Sequence, residues 1–137
     1  MSFAFYRCCG IWVLVFILTG CSTAPVATEP TTSMMFQANA VLGKDALLLW
    51  VPAENTSRSS LSVDLANKLS AAKTKSFRIC CVGPKSSNTM RVILDALDMH
   101  LDPLPGLQIL FIGDEKHKEP VRQAVKKLGG RFYFNPL

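Results

Sequence analysis

Three short apolar runs, each closed by Gly or Pro, constrain the fold of this chain more than any other feature. They cover residues 46–51, 77–82 and 107–112. Runs of this length suit strands better than helices, and nearly continuous apolarity is typical of strands covered on both faces of a sheet. Residues 131–134 alternate between polar and apolar side chains, which predicts a fourth strand.

Helical spacing of apolar residues fills the gaps between these runs. Leu, Ile, Val and Ala recur every three or four positions within residues 61–72, 90–101 and 121–128. The predicted order is β-α-β-α-β-α-β, which favours parallel strands joined by right-handed crossovers. We therefore expect an α/β fold, a three-layer sandwich around a small, mostly parallel four-stranded sheet. The sheet would be mixed if the last strand were reversed.

The first 21 residues have the features of an export signal. Arg7 is the charged residue of residues 1–20, and an apolar run from Ile11 to Leu18 follows it. As a helix this run spans roughly 12 Å, far less than the roughly 30 Å hydrocarbon core of a bilayer. A charged start, a short apolar stretch and small residues after it are typical of a secretory signal peptide.

The residues Leu18-Thr19-Gly20-Cys21 resemble the lipobox of bacterial lipoproteins. The resemblance implies transfer of diacylglycerol to the Cys21 thiol, cleavage between Gly20 and Cys21, and acylation (such as palmitate) of the new amino terminus. Several acyl chains hold a protein stably in a bilayer. In this family Asp after the cysteine usually marks retention in the inner membrane. Ser22 stands there instead, so the resemblance implies the periplasmic face of the outer membrane.

A polar segment follows the predicted lipid attachment. Residues 22–33 include Pro25 and Pro30 and as a coil would reach about 20 Å. Residues 34–43 are more apolar and predict a short helix or a strap across the domain. The predicted organisation is a signal peptide at 1–20, a lipidated N-terminus and tether at 21–43, and a small α/β domain at 44–137.

Charge and cysteine content exclude several classes of function. The net charge of the chain is +5, and its basic residues are scattered without an aromatic-rich stripe. Together with the export signal, this pattern argues against nucleic acid as a partner. Cys80 and Cys81 would point to opposite faces of a strand, so we expect two buried free thiols. Metal-ligand spacings are missing, and we predict neither a metal nor a cofactor.

Three polar loops follow the predicted strands and would share the carboxyl edge of a parallel sheet, where α/β folds bind ligands. The middle loop offers Lys85, Ser86, Ser87 and Asn88, with Arg91 one turn further on. These residues are candidates for holding a carboxylate or phosphate at a helix N-terminus, although the Gly-rich phosphate-binding motifs are missing. Ser86 or Ser87 is also the expected N-cap of the helix.

The loop after the third strand holds Asp114, Glu115 and His117, residue types that serve acid–base catalysis. Their spacing matches no metal-ligand signature, and the chain has no Gly-x-Ser-x-Gly nucleophile motif. An enzyme at this edge would need Asp114 to converge with Ser86 or His117. We predict no catalytic residues and a protein that is not an enzyme.

The order of elements behind a lipobox also loosely resembles an OmpA-like domain, over residues 77–97. In that family a loop and the following helix hold an Asp and an Arg for the diamino acid of peptidoglycan. Asn88 and Arg91 match the helix part of that motif. Gly83-Pro84-Lys85 stands where the family has Thr-Asp.

We predict an outer-membrane-anchored lipoprotein that acts as a structural or assembly component of a cell-envelope complex. The complex would be of the secretion, pilus or conjugation type and would supply its protein partners. An open edge at the fourth strand would accept a strand from such a partner. Two alternatives stay open, a peptidoglycan-binding module and a periplasmic enzyme that uses the carboxyl edge.

Overall fold

The computed structural model describes residues 32–54 and 58–137. Helices and strands alternate along these residues. They are α1 (Thr32–Leu42), β1 (Leu47–Trp50), α2 (Arg58–Leu69), β2 (Phe77–Val82), α3 (Ser86–Asp98), β3 (Leu107–Gly113), α4 (Lys118–Lys127) and β4 (Arg131–Pro136). Within this part of the chain, no helix combines the length and apolarity needed to cross a bilayer.

The strands form a four-stranded sheet in the order β1-β2-β3-β4, and every neighbouring pair is parallel. One register row across the sheet runs from Leu48 through Cys80 and Leu110 to Tyr133. Parallel neighbours need a crossover of a dozen or more residues, and each predicted amphipathic segment supplies one. The predicted α/β fold is confirmed, and the fourth strand runs in the same direction as the other three.

Three helices cover one face of the sheet, which we call the helix-covered face. Because strand order equals chain order, right-handed crossovers carry α2, α3 and α4 to the same side. Their apolar stripes meet the sheet in a core whose fully buried members include Leu65, Ile93, Phe111 and Val121. Burial of each such side chain contributes about 1.5–3 kcal/mol, so this core is the main source of stability.

The opposite face of the sheet, the second face, is covered by α1. Ala38 and Leu42 are the buried residues of this helix. They pack with central-strand residues Cys80, Val82, Leu110 and Ile112. The expected short helix within residues 34–43 is thus confirmed and completes the third layer. Because α1 packs on the sheet, the packed part of the chain begins at Thr32, inside the range 21–43 predicted as a tether.

The C-terminus of α1 is fixed by a glycine and an arginine. Gly43 has a φ of +92°, and its N–H donates to the carbonyl oxygen of Asn39 at 2.9 Å. The guanidinium of Arg78, from β2, donates to the carbonyl oxygen of Leu42 at 3.0 Å. Both bonds satisfy carbonyl groups that the last turn of a helix otherwise leaves unpaired.

Cys80 and Cys81 lie on opposite faces of the sheet, as expected for neighbours on a strand. Cys81 belongs to the core of the helix-covered face, and Cys80 lies on the second face beneath α1. Both thiols are free and buried. This confirms the expectation of two buried free cysteines.

Candidate functional site

The carboxyl edge of the sheet brings together the loops that follow β1, β2 and β3. Of the candidate ligand residues there, Ser86 and Asn88 are buried and Ser87 is half-buried, while Lys85 and Arg91 are exposed. The two buried side chains bond to neighbouring loops, and the other three stay at the surface. The predicted lipidation and cleavage residues, Gly20 and Cys21, lie outside the described residues.

Ser86 is the first residue of α3 and links the loops after β2 and β3. Its Oγ accepts a hydrogen bond from the backbone N–H of Asp114 at 2.8 Å and lies 2.9 Å from Nδ1 of His117. The expectation that Ser86 or Ser87 caps the helix is wrong. The N-cap is Lys85, whose side chain makes no capping bond, because the Ser86 hydroxyl turns towards the next loop instead.

Asp114, Ser86 and His117 therefore converge, as an enzyme at this edge would need. Oδ2 of Asp114 lies 3.9 Å from Nδ1 of His117, the same ring nitrogen that faces Ser86 Oγ. In a catalytic triad the carboxylate and the nucleophile use opposite ring nitrogens, so that one nitrogen is held while the other takes the proton. A single nitrogen facing both oxygen atoms suits the joining of two loops better than proton transfer.

Asn88 makes the corresponding link to the loop after β1. Its side-chain Nδ2 donates to the carbonyl oxygen of Ala53 at 2.7 Å. Because Asn88 is buried, this bond satisfies an amide that would otherwise be held away from water without a partner. Ser86 and Asn88 together tie the loops of the carboxyl edge to the first turn of α3.

Gly83 allows the chain to leave β2 close to the neighbouring strand. A Cβ at this position would lie 2.1 Å from the carbonyl oxygen of Val51 and 3.0 Å from Oγ1 of Thr89. Thr89 is fully buried, and its Oγ1 has no hydrogen-bond partner among the residues that the structure describes. Sequence analysis did not single out Thr89, because a Thr inside a helix gives no sign of which way its hydroxyl points.

A wide groove of about 560 Å³ lies between α2 and α3. Arg58 reaches across it and donates from Nε and a terminal nitrogen to Oδ2 of Asp95, at 3.0 and 2.8 Å. Both side chains are more than a third exposed, so water screens the pair and it adds little stability. Sequence analysis missed this groove because two residues 37 positions apart meet only where the helices cross.

The two buried thiols are poorly reactive in the folded protein. Burial raises the pKa of the Cys80 thiol to about 12. Burial, and after it the neighbouring Cys80, raises the pKa of Cys81 well above its usual range. The thiolate is the form that attacks electrophiles or binds metals, and a raised pKa suppresses it. Within residues 32–54 and 58–137, no group of three His, Cys, Asp or Glu side chains is placed to hold a metal ion.

The outer edge of β1 is a second candidate site, which sequence analysis missed. β1 occupies one end of the sheet and pairs with β2. Val51 donates its N–H to the carbonyl oxygen of Val82, so its backbone groups face β2. Successive residues of a strand direct their backbone groups to opposite sides, so the N–H and carbonyl groups of Leu48 and Trp50 face away from β2. Residues Leu47–Trp50 carry no charge, and Leu47 is 46% exposed.

A recess of about 120 Å³ adjoins this edge, between β1 and α2. Most of its lining is apolar, and the exposed Asp64 and Lys68 also border it. The apolar lining residues are Leu47, Leu48, Leu49, Leu61, Leu65 and Ile79. Within residues 32–54 and 58–137, the edge of β1 therefore combines outward backbone groups that no further strand pairs with and a place for an apolar side chain.

The other sheet edge, β4, was the one expected to accept a partner strand. β4 does lie at the sheet's end, paired with β3. It begins with the exposed Arg131 and ends with Pro136. Charged residues and proline are the features by which natural sheet edges discourage strand addition. The two edges thus differ: the four residues of β1 include neither a charge nor a proline, and its shortness is the feature that limits strand addition there.

Comparison of the chain with protein-family models, with curated proteins and with solved structures finds no match.

Proposed function

We propose that this protein is a lipid-anchored lipoprotein at the periplasmic face of the outer membrane. It acts as a structural or assembly component of a cell-envelope complex, of the secretion, pilus or conjugation type. It does so by accepting an extended segment of a partner protein along β1. The observation that carries this proposal is the uncharged edge of β1, which no other strand of the described residues covers, beside an apolar recess.

Strand addition explains how such an edge would recognise a partner. The outward backbone groups of Leu48 and Trp50 would supply main-chain hydrogen bonds, which give affinity without depending on the partner's side chains. The recess between β1 and α2 would then select an apolar side chain at alternate positions of the added strand. The partner is therefore an extended, largely apolar segment of an envelope protein.

The contacts at the carboxyl edge weigh against the two alternatives, a peptidoglycan-binding module and a periplasmic enzyme. A peptidoglycan-binding module would need Asn88 and Arg91 to face the ligand together. The amide of Asn88 is buried and bonded to Ala53, while Arg91 is exposed. An enzyme would need a nucleophile that substrate can reach, whereas Ser86 is buried and its hydroxyl oxygen already accepts a hydrogen bond from the backbone of Asp114.

A photo-crosslinking amino acid at position 47 tests this proposal in intact cells. We expect one discrete adduct with an envelope protein, in which the crosslinked peptide of the partner is extended and apolar. In a second arm, Leu47→Lys places a charge on the edge and should abolish copurification of that protein. Val63→Lys is the matched control, because Val63 is 44% exposed on α2, away from this edge.

Two results would contradict strand addition at β1. The first is the absence of any protein adduct at position 47 in cells that express the chain at its normal level. The second is an equal loss of the partner in the Leu47→Lys and Val63→Lys variants, which would indicate a general effect of surface charge.

A further inference from the structure

The outward side of α1 carries no charge, and it exposes Met35, Phe36, Ala40 and Val41 beside the polar Thr32, Ser33 and Asn39. Phe36 is 76% exposed and Met35 is 51% exposed. The sequence of the helix, Thr32–Leu42, contains no charged residue. Soluble helices usually place charged side chains on the side that faces water, so this surface lacks the composition expected of one.

Basic side chains border the C-terminal end of this helix. Lys44 follows α1 and is exposed, as is its neighbour Asp45. Arg78 and Arg131 lie on the second face in one register row, with Gln108 between them. The border therefore carries three cations and one acid. An apolar surface beside basic side chains is the composition of segments that lie on anionic membranes.

The predicted anchor leads directly into α1. Ten residues separate Cys21 from Thr32, so the start of the helix lies at most about 40 Å from the lipidated residue. α1 is thus the packed element nearest to the membrane along the chain.

We propose that α1 lies on an anionic phospholipid surface, with Phe36 and Met35 inserted among the lipids and Lys44, Arg78 and Arg131 at the headgroups. This inference rests on the lipid anchor proposed above and goes beyond it. It fixes the orientation of the domain, whereas an anchor and tether alone leave the domain free to rotate. In this orientation the edge of β1 and the helix-covered face stay accessible to protein partners.

A tryptophan placed at position 36 provides a single reporter of this contact. Trp12 lies in the segment predicted to be removed, so Trp50 is the tryptophan of residues 21–137. Trp50 packs, half-buried, against the cluster beneath α1, so the helix stands between it and the lipid, and Trp50→Phe removes its signal. Lipids with brominated acyl chains quench tryptophan at short range, so the fluorescence of the Phe36→Trp, Trp50→Phe protein reports whether the outward side of α1 touches the bilayer.

The test uses the lipidated protein, purified from membranes and reconstituted into vesicles of phosphatidylethanolamine and phosphatidylglycerol with brominated acyl chains. In the Phe36→Trp, Trp50→Phe protein we expect loss of tryptophan fluorescence relative to vesicles without bromine. Met35→Asp in the same protein should restore the fluorescence, and Lys44→Glu with Arg131→Glu should restore part of it. Leu101→Asp is the control, because Leu101 is 95% exposed and follows α3. Thermal melts of the variants check that the fold is intact.

The outcomes separate this inference from the proposed function. A lipidated protein whose tryptophan at position 36 is not quenched, or is quenched equally when Met35→Asp is added, overturns the membrane contact and leaves the anchor standing. A protein that carries no lipid overturns both. A photo-crosslinker at position 36 adds a second readout in cells. An adduct with phospholipid supports the contact, whereas an adduct with a second copy of the chain or with another protein overturns it.

Discussion

At the scale of single residues, one buried hydroxyl joins two loops. Ser86 accepts a hydrogen bond from the backbone of Asp114 and faces the imidazole of His117. Removal of the hydroxyl would leave a backbone N–H and a ring nitrogen without this partner in a partly buried position. Unsatisfied buried groups cost more than the bond itself contributes, so Ser86 should matter for stability whatever the protein binds.

Replacement of Ser86 by Ala tests this role. We expect Ser86→Ala to lower the free energy of unfolding by about 1–3 kcal/mol. The matched control is Ser87→Ala, because Ser87 is the next residue of α3 and is half-buried. It should change the free energy by no more than about 0.5 kcal/mol. Chemical denaturation measures both variants. Equal stability of the two would show that the contacts of Ser86 contribute nothing.

The buried thiols give a second prediction at this scale. Because burial raises the pKa of Cys80 to about 12 and that of Cys81 as well, both stay protonated near pH 8 in the folded state. Alkylation by iodoacetamide needs the thiolate, so it should proceed only through unfolding. We expect neither cysteine to be alkylated in the native protein and both to be alkylated in denaturant, as mass spectrometry would show. Rapid alkylation of the native protein would contradict the burial.

At the scale of elements, α1 is held differently from the other helices. The crossover helices are each tied to the sheet at both ends by strands, whereas α1 is joined to β1 at its C-terminus alone. Its position on the sheet depends on the burial of its own residues Ala38 and Leu42 and on the hydrogen bond from Arg78 to the carbonyl oxygen of Leu42. Elements with few buried contacts open first, so α1 should be the most readily detached helix.

Alanine substitutions at two glycines distinguish backbone strain from loss of the Arg78 contact at the end of α1. Gly43 and Gly129 both have positive φ, +92° and +80°. Alanine at either position should cost about 1–2 kcal/mol of backbone strain. A Cβ at Gly43 would also lie 2.9 Å from a guanidinium nitrogen of Arg78, whereas a Cβ at Gly129 meets nothing within 4 Å.

We therefore expect Gly43→Ala to displace Arg78 and to speed amide hydrogen exchange throughout α1. Gly129→Ala should destabilise the protein without this local effect. Hydrogen exchange followed by mass spectrometry distinguishes the two variants. If exchange in α1 is the same in both, the contact between Arg78 and Leu42 does not hold the helix.

At the scale of the whole molecule, the two helical layers of the sandwich differ in the number of helices that they contain. Three helices cover one face of the sheet and α1 covers the other. This inequality follows from the strand order, because a sheet whose order equals its chain order receives all its crossovers on one side. The second face would stay exposed without α1. The segment next to the predicted anchor is therefore also the segment that completes the fold.

The anchor itself is tested by Cys21→Ser. The diacylglycerol is joined to a sulfur atom, so a hydroxyl at this position should abolish fatty-acid labelling and leave uncleaved precursor in the cell. Cys8→Ser is the matched control, because it changes a cysteine within the predicted signal peptide and leaves the lipobox intact. Metabolic labelling with a radioactive fatty acid measures both. Unchanged labelling of the Cys21→Ser protein would refute the lipoprotein proposal.

Local patterns explain which parts of the structure could be predicted. The runs at 77–82 and 107–112 are strands because they are apolar on both faces, and the bounds of β2 match the prediction. A helix or strap at residues 34–43 was predicted, but the surface that it packs on was not. Its apolar residues indicate that it is buried on one side and do not indicate which face of the sheet it contacts. The capping prediction for Ser86 was wrong because a tertiary contact with His117 competes for the hydroxyl.

The sequence by itself determined the alternation of strands and helices, a mostly parallel sheet and the burial of both cysteines. These features depend on the periodicity of side chains along the chain, which is local. Tertiary structure alone decided the strand order, the face of the sheet on which α1 packs, the convergence of Ser86 with His117 and the exposed edge of β1. These depend on which distant residues meet in space, and no local pattern encodes that choice.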